Sequence, residues 1–402
     1  MTTEIGWPRW LRFGFRFVFS YFAMFAIGLW FDLGNRPRAI LAAISTPPIR
    51  LTGRTVFGLT DAPNAGVPWA LAQQLSAFVV ALSAAIIWTL VARRTEYRRL
   101  FGWMHLLLRY YVAIIMLIYG GFKVVDTQFP PPTLETLSQP VGSLAPMGLL
   151  WAFMGYSAPY ATFGGLGEVA GAVLLFFRRT TTLGALIVAA VMANVALLNY
   201  AYDVPVKQLS FNLVFAAAVL AAPDARRLFD ALVLNRPTEP TDQSFMLPRW
   251  LVRVRRDLKP VIVVVAIAAP LTVSALFRTR LFKNPPMYGM YEVTRFTRNG
   301  ATLPPLLTNS TQWRRVFFSR PRSMSIGLMN DSLRMFEANV DTTTHRITLV
   351  ASPRPGAPRD TIAYDPLADG TLRMFGVLAK DTVDVMLRRV DHRKAFRLLR
   401  GR

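Results

Sequence analysis

The chain has 402 residues, 53% of them hydrophobic and 17% charged, and a formal net charge of +23. That is too apolar for an ordinary soluble protein, and the lack of cysteine excludes disulfide exchange, iron–sulfur clusters and thiolate metal sites. The excess of Lys and Arg does not point to nucleic acid. It gathers in short clusters beside apolar runs, where it orients helices and meets membrane lipids, and no basic-aromatic recognition module accompanies it.

From the N-terminus, Arg9, Arg12 and Arg16 precede an apolar run over residues 17–31. The run is long and no small-x-small cleavage site directly follows, so it reads as an uncleaved first span rather than a signal peptide. Residues 34–70 read as a polar connection rich in Pro, Gly and Thr, with a short interfacial helix at 39–44. The second span is predicted at 73–92 and is followed by the basic loop 93–99. Spans three to six are predicted at 105–125, 159–177, 181–202 and 205–222, each near the roughly 20 residues needed to cross a hydrocarbon core. From Val124 to Phe177 there is no Lys or Arg. The loop within that stretch carries Pro130-Pro131-Pro132 and an apolar segment, 147–156, too short to cross; it lies at the interface or dips back into the bundle.

A polar linker rich in Arg leads to a seventh span at 261–276, interrupted by Pro270. Basic loops after spans two, four and six alternate with poorly basic ones after three and five. The positive-inside rule then places the N-terminus in the cytoplasm and the C-terminal part outside. Arg36, Arg38, Arg50 and Arg54 in the first loop, and Arg278, Arg280 and Lys283 after the seventh span, run against that assignment.

Residues 287–402 differ in kind. Short β-favouring runs recur at 290–296, 313–318, 324–329, 333–340, 346–350, 361–364, 372–378 and 382–390, separated by turn residues such as Asn330-Asp331 and Asp369-Gly370. Such spacing predicts an antiparallel meander, sandwich or small barrel with a core of its own. The expected organisation is therefore two N-terminal spans in 1–104, a four-helix membrane core in 105–230, a basic linker and seventh span in 231–286, and a soluble all-β domain in 287–402.

The candidate site lies in the membrane core. Ionisable groups are costly in lipid, so those retained there face a bundle interior and mark a pathway or a site. At about 1.5 Å per helical residue, Glu168 is expected roughly 13 Å from the outer surface, Asn194 about 12 Å and Asn212 about 10 Å. Asn199, Asp203, Lys207 and Gln208 fall above them, Lys123 and Asp126 end the third span at the same surface, and Tyr119 of that span is a further binding candidate. The picture is a polar funnel with Glu168 at its base, able to exchange a proton with a bound molecule while Lys123 or Lys207 biases its charge. The alternative for Glu168 is a structural glutamate among close-packed helices, since Gly164, Gly165, Gly167 and Gly171 surround it. Asn194 and Asn199 either glue helices or hold a ligand carbonyl. Asp203 and Lys207, four apart across Pro205, read as a surface ion pair bracketing a tight turn. Arg109 is expected to reach lipid headgroups, and Tyr110, Tyr111, Trp151, Tyr156, Tyr160, Tyr200 and Tyr202 fit an interfacial aromatic belt. With three histidines in the chain and only His105 beside a span, no metal-ligand signature stands out, nor does a phosphate loop or a nucleophile–base arrangement.

Within 109–227 the sequence resembles the DoxX-like family of membrane proteins. The resemblance rests on Tyr119-Gly120-Gly121-Phe122-Lys123, on Gly165-Leu166-Gly167-Glu168-Val169-Ala170-Gly171, on Arg178-Arg179-Thr180-Thr181-Thr182-Leu183-Gly184-Ala185, and on Asn194 with residues 199–205. It covers a little over a quarter of the chain. It implies a four-helix membrane core in the bacterial inner membrane, and some relatives are associated with quinone-linked oxidation or redox maturation. Three functions stay open at this point. One is a quinone-interacting redox subunit that has no electron cofactor of its own and so needs a redox or periplasmic protein partner or a soluble donor. The second is a carrier or binding protein for a small or lipidic molecule. The third is a scaffold whose β domain docks a partner.

Overall fold

Long apolar runs must satisfy their backbone internally, and here they do so as helices. A computed structural model of the chain describes residues 6–27, 38–64, 66–239, 283–351, 358–367 and 370–399, with 264–265, 268–269, 271–273, 275–276 and 278. The helices are α1 (Arg9–Ala26), α2 (Arg38–Phe57), α3 (Val67–Val91), α4 (Arg98–Val124), α5 (Leu134–Ser138), α6 (Pro146–Tyr156), α7 (Ala158–Phe176), α8 (Thr181–Ala201), α9 (Lys207–Ala221) and α10 (Ala225–Leu232). The chain forms two units, one of Met1–Val125 with Pro159–Thr272, the other of Asp126–Ala158 with Val273–Arg402.

In the first unit, five segments among the described residues are long and apolar enough to cross a membrane: Val67–Val91, Arg98–Val124, Ala158–Phe176, Arg178–Ala201 and Lys207–Leu232. The protein is a membrane protein on that ground. Helix α1 is not among the five, because Arg9, Arg12 and Arg16 fall within its 18 residues. Arg16 is nevertheless buried; its guanidinium donates to the Tyr97 hydroxyl at 2.9 Å and lies over that ring. The predicted seventh span at 261–276 lies for the most part outside the described residues; those that are described, such as 271–273, are helical.

The expected short helix at 39–44 is corrected. Helix α2 runs through Pro47 and Pro48 to Phe57. The hydroxyls of Ser45, Thr52 and Thr55 each donate to the carbonyl four residues back, and the Trp69 ring of α3 lies against Gly53, where a Cβ would come within 2.4 Å of it. The proline pair reads as a break in sequence, but the helix is held by its neighbour. A buried core runs through α1, α3, α4, α7, α8 and α9, from Phe15, Tyr21 and Phe22 through Val112 and Met116 to Leu175, Val188 and Leu220.

In the second unit the alternating runs form nine strands: β1 (Gly289–Arg298), β2 (Ala301–Thr302), β3 (Trp313–Phe318), β4 (Ser323–Leu328), β5 (Leu333–Asp341), β6 (Arg346–Val350), β7 (Arg359–Pro366), β8 (Thr371–Leu378) and β9 (Asp381–Val390). Each longer strand pairs antiparallel with the next, and β9 pairs back onto β1, Met290 opposite Val390 and Arg298 opposite Val383. The result is a closed eight-strand barrel, with β2 as a spur on β1. All eight runs read from the sequence are strands, and closure selects the barrel from the three architectures left open. Inward positions alternate with outward ones: Val316 and Phe318 of β3 and Met324 and Ile326 of β4 fill the core with Ile347, Ile362, Met374 and Val385.

The outer wall is covered in one place. Phe317 and Met290 point away from the barrel core, and both are buried, against Leu134 of α5 and the C-terminal residues Phe396 and Leu399. Ser325, also outward and fully buried, donates to Glu135 Oε1 at 3.1 Å. Thus the segment joining α4 to α7 is packed on the barrel, and 147–156 is helix α6 of that same unit.

Candidate functional site

Two glycines build the site. At Gly165 of α7 an added Cβ would lie 2.7 Å from Lys123 Cβ and 2.9 Å from the Gly120 carbonyl; at Gly120 of α4 it would lie 2.9 Å from the Gly165 carbonyl. Only glycine at both positions lets the two helices touch backbone to backbone. The same device recurs where α7 meets α8: a Cβ on Gly184 would come within 2.9 Å of Leu175 N and 3.0 Å of the Gly171 carbonyl.

This crossing sets Lys123, in the last turn of α4, against Glu168, one turn beyond Gly165. Lys123 Nζ stands 2.5 Å from Glu168 Oε1. Glu168 is 0% exposed and Lys123 6%. The cation at a helix C-terminus also meets the negative end of the helix dipole. Glu168 Oε2 is buried with no hydrogen-bond partner among the described residues. Tyr119, one turn before Lys123, lies within electrostatic reach of the carboxylate. Chemically, this is a carboxylate held by a single cation, with one oxygen left to accept a hydrogen bond.

The other sequence-selected residues divide. Asn199 is buried on α8, and its Nδ2 has no partner among the described residues. Lys207 pairs with Asp203 Oδ1 at 2.6 Å across the turn, as expected, but Lys207 is buried and only Asp203 is exposed, so the pair is not the surface pair read from the sequence. Asp203 and Asp126 have φ of +53° and +58°, and each follows the last turn of a helix. After α8 the Val204 amide donates back to the Asn199 carbonyl at 2.9 Å, which closes a Schellman turn around Asp203. Asp126 belongs to the second unit.

Asn212 is fully engaged elsewhere. Its Oδ1 accepts from the Tyr21 hydroxyl, its Nδ2 donates to the Gln208 carbonyl at 2.7 Å, and Gln74 donates to the same Tyr21 oxygen at 2.7 Å. It binds α9 to α1 and α3. Asn194 does not join the buried groups; it is exposed on α8. Arg109 corrects an expectation too. It is buried, donates to Thr181 Oγ1 at 3.3 Å and lies over the Tyr110 ring, so it ties α4 to α8 and not to lipid headgroups.

Sequence reasoning passed over Tyr21, Gln74 and Asp224. Asp224, which is buried, accepts from Thr182 and stands 3.9 Å from Arg227. The available signal was a polar residue inside each apolar run; Gln74 sits in the second span as plainly as Asn212 sits in the sixth.

Over 133 residues the chain is 37% identical to a Bacillus subtilis (strain 168) protein described as the uncharacterized protein YwoB; the match covers 33% of this chain and 82% of that one. The chain belongs to the YwoB family. The YwoB match is the shared part, and two-thirds of this chain lies outside it. No family model matches the chain, and no solved structure matches it.

Proposed function

We propose that this YwoB-family protein is a DoxX-like protein of the bacterial inner membrane that binds a hydroxyl-bearing lipidic molecule of the quinol class at Lys123–Glu168. The observation that carries the reading is the buried Oε2 of Glu168, which has no hydrogen-bond partner among the described residues. A ligand hydroxyl there donates a hydrogen bond to the carboxylate and can pass its proton to it, while Lys123 stabilises the charged form and Tyr119 borders the site. Oxidation of a quinol releases two protons and two electrons. The protons leave through Glu168 in turn, and the electrons go to a redox protein partner.

The topology proposed with it has seven spans. The segment between α4 and α7 is packed on the barrel, so both lie on one side of the membrane. An even number of crossings must therefore separate them. Helices α7, α8 and α9 supply three, and the fourth is the span read from sequence at 261–276. With the N-terminus cytoplasmic by the charge pattern, the barrel is periplasmic.

A second reading has its own support. Asn212 and Arg109 tie helices together, and Asp203 and Asp126 end them, as in a scaffold whose barrel docks a partner. The deciding experiment is an ultraviolet–visible spectrum of protein purified in mild detergent, with mass spectrometry of the extracted small molecules. Co-purified quinone that is lost in Glu168→Gln supports the redox reading. A different bound lipid, lost in the same variant, makes the protein a carrier. Quinone binding that is unchanged in Glu168→Gln refutes the site.

A further inference from the structure

Exposed hydroxyls on the membrane helices satisfy themselves. Ser83 of α3 donates to the Val79 carbonyl at 2.9 Å and Thr89 to the Ala85 carbonyl at 2.7 Å. Each returns to the turn before it, which removes an unpaired polar group from lipid. Asn212 uses its own amide in the same way. Asn194 does not. It is exposed, and it makes no hydrogen bond among the described residues. It lies about 10 Å in from the end of α8 at Ala201, at a depth where an unpaired amide is costly.

The face around it is made of Leu186, Ala190, Ala193 and Leu197, all exposed. The two alanines beside the amide allow another helix to approach closely. The amide itself narrows the choice of occupant. A carboxamide carries both a donor and an acceptor, so it is complementary to itself. Two copies of one chain inserted in the same direction carry Asn194 at the same depth. A two-fold axis along the membrane normal brings the amides together, N–H to C=O in both directions, as an isologous interface requires.

We propose that α8 is the interface of a homodimer, closed by reciprocal hydrogen bonds between the Asn194 side chains of two copies. This goes beyond the ligand reading and does not depend on it.

The chain has no cysteine, so single cysteines report cleanly. In full-length protein in native membranes, Ala190→Cys keeps Asn194 and sits one turn away on the same face. Ile87→Cys places a cysteine on the exposed face of α3. Under mild oxidation Ala190→Cys is expected to give a covalent dimer and Ile87→Cys is not. Adding Asn194→Leu to Ala190→Cys should lower self-association about tenfold, the scale of interhelical amide bonding in membranes, read by single-molecule photobleaching in dilute liposomes. Asn194 is exposed, so the substitution leaves the protomer's packing intact. The proposal is overturned if Ala190→Cys cross-links no faster than Ile87→Cys, if it captures a different protein instead, or if Asn194→Leu leaves self-association unchanged.

Discussion

Replacing Lys123 with Met tests whether the buried pair is a charged pair at all. At 2.5 Å and an effective dielectric constant near 20, the direct attraction between Lys123 and Glu168 is about 6–7 kcal/mol. Desolvation of the two ions costs several kcal/mol each, so the pair as a whole is close to break-even against an apolar pair of similar size. The balance changes once a single partner is removed. Lys123→Met leaves a carboxylate buried in the helix bundle with neither oxygen paired among the described residues, and should cost about 3–5 kcal/mol. Glu168→Met, which strands the ammonium, should cost a similar amount. The double variant should fall within about 1 kcal/mol of the parent, so the two singles are non-additive by several kcal/mol. Denaturant unfolding in bicelles, followed by tryptophan fluorescence, measures all three. Singles that each cost under about 1 kcal/mol, or a double that costs their sum, refute the buried ion pair. The double variant also separates stability from function, because it should fold yet bind no ligand.

Other perturbations reach other parts of the molecule. Gly165→Ala drives a methyl into Lys123 and the Gly120 carbonyl and should cost about 1–3 kcal/mol, whereas Gly164→Ala, which meets open space, should be near neutral in the same unfolding assay. In the barrel, Ala379 and Lys380 form a two-residue hairpin loop with positive φ at both positions, as Asn299 and Gly300 do with more suitable residues. Ala379→Asn with Lys380→Gly should stabilise the barrel by about 1 kcal/mol or more, seen as slower amide exchange in β8 and β9. Hydrogen bonds from Arg298 and Asn299 hold the Asp381 carboxyl below the usual carboxylate range, and one from Arg373 does the same for Asp384. Their folded values lie below the unfolded one of about 3.9, so this stability is present above pH about 4 and fades as pH falls through the folded values. Protection of the β8 and β9 amides, taken relative to their intrinsic exchange rates at each pH, should therefore fall on acidification, and less so in Asp384→Asn.

The barrel was legible because its signal is local. Period-2 alternation and turn residues sit next to one another in sequence, and every strand pairs with a neighbour, so strand limits such as Trp313–Phe318 and Arg346–Val350 could be read directly. Closure was not legible, since it depends on β1 meeting β9 across the whole domain. In the membrane core, the Gly-Glu pattern gave Glu168, and Lys123 was among its named partners, because close packing needs small residues at fixed spacing. The fate of the asparagines was not readable. Asn194 and Asn199 are five residues apart on one helix, and the rotation between them decides that one is exposed and the other buried. Likewise Asp126 and Asp203 look like ligands in a list of polar residues. Their left-handed backbone, which marks them as helix terminators, is a property of conformation.

The packing of α5 on the barrel has a consequence for biogenesis. Ser138 and its contact Met290 are 152 residues apart in the chain. At ~5–20 residues per second of synthesis, the wall that covers Leu134 is made about 10–30 s after α5 has left the ribosome. The interval is long for a folding event, and Leu134 waits through it without its burial partners Met290 and Phe317. Strand β1 likewise waits for β9 before the barrel can close. The second unit is thus completed only after the helices between its two segments, α7, α8 and α9 among them, have been made. Maturation should follow the order of insertion, with the barrel as the last step and the bridging segment open to proteases until then.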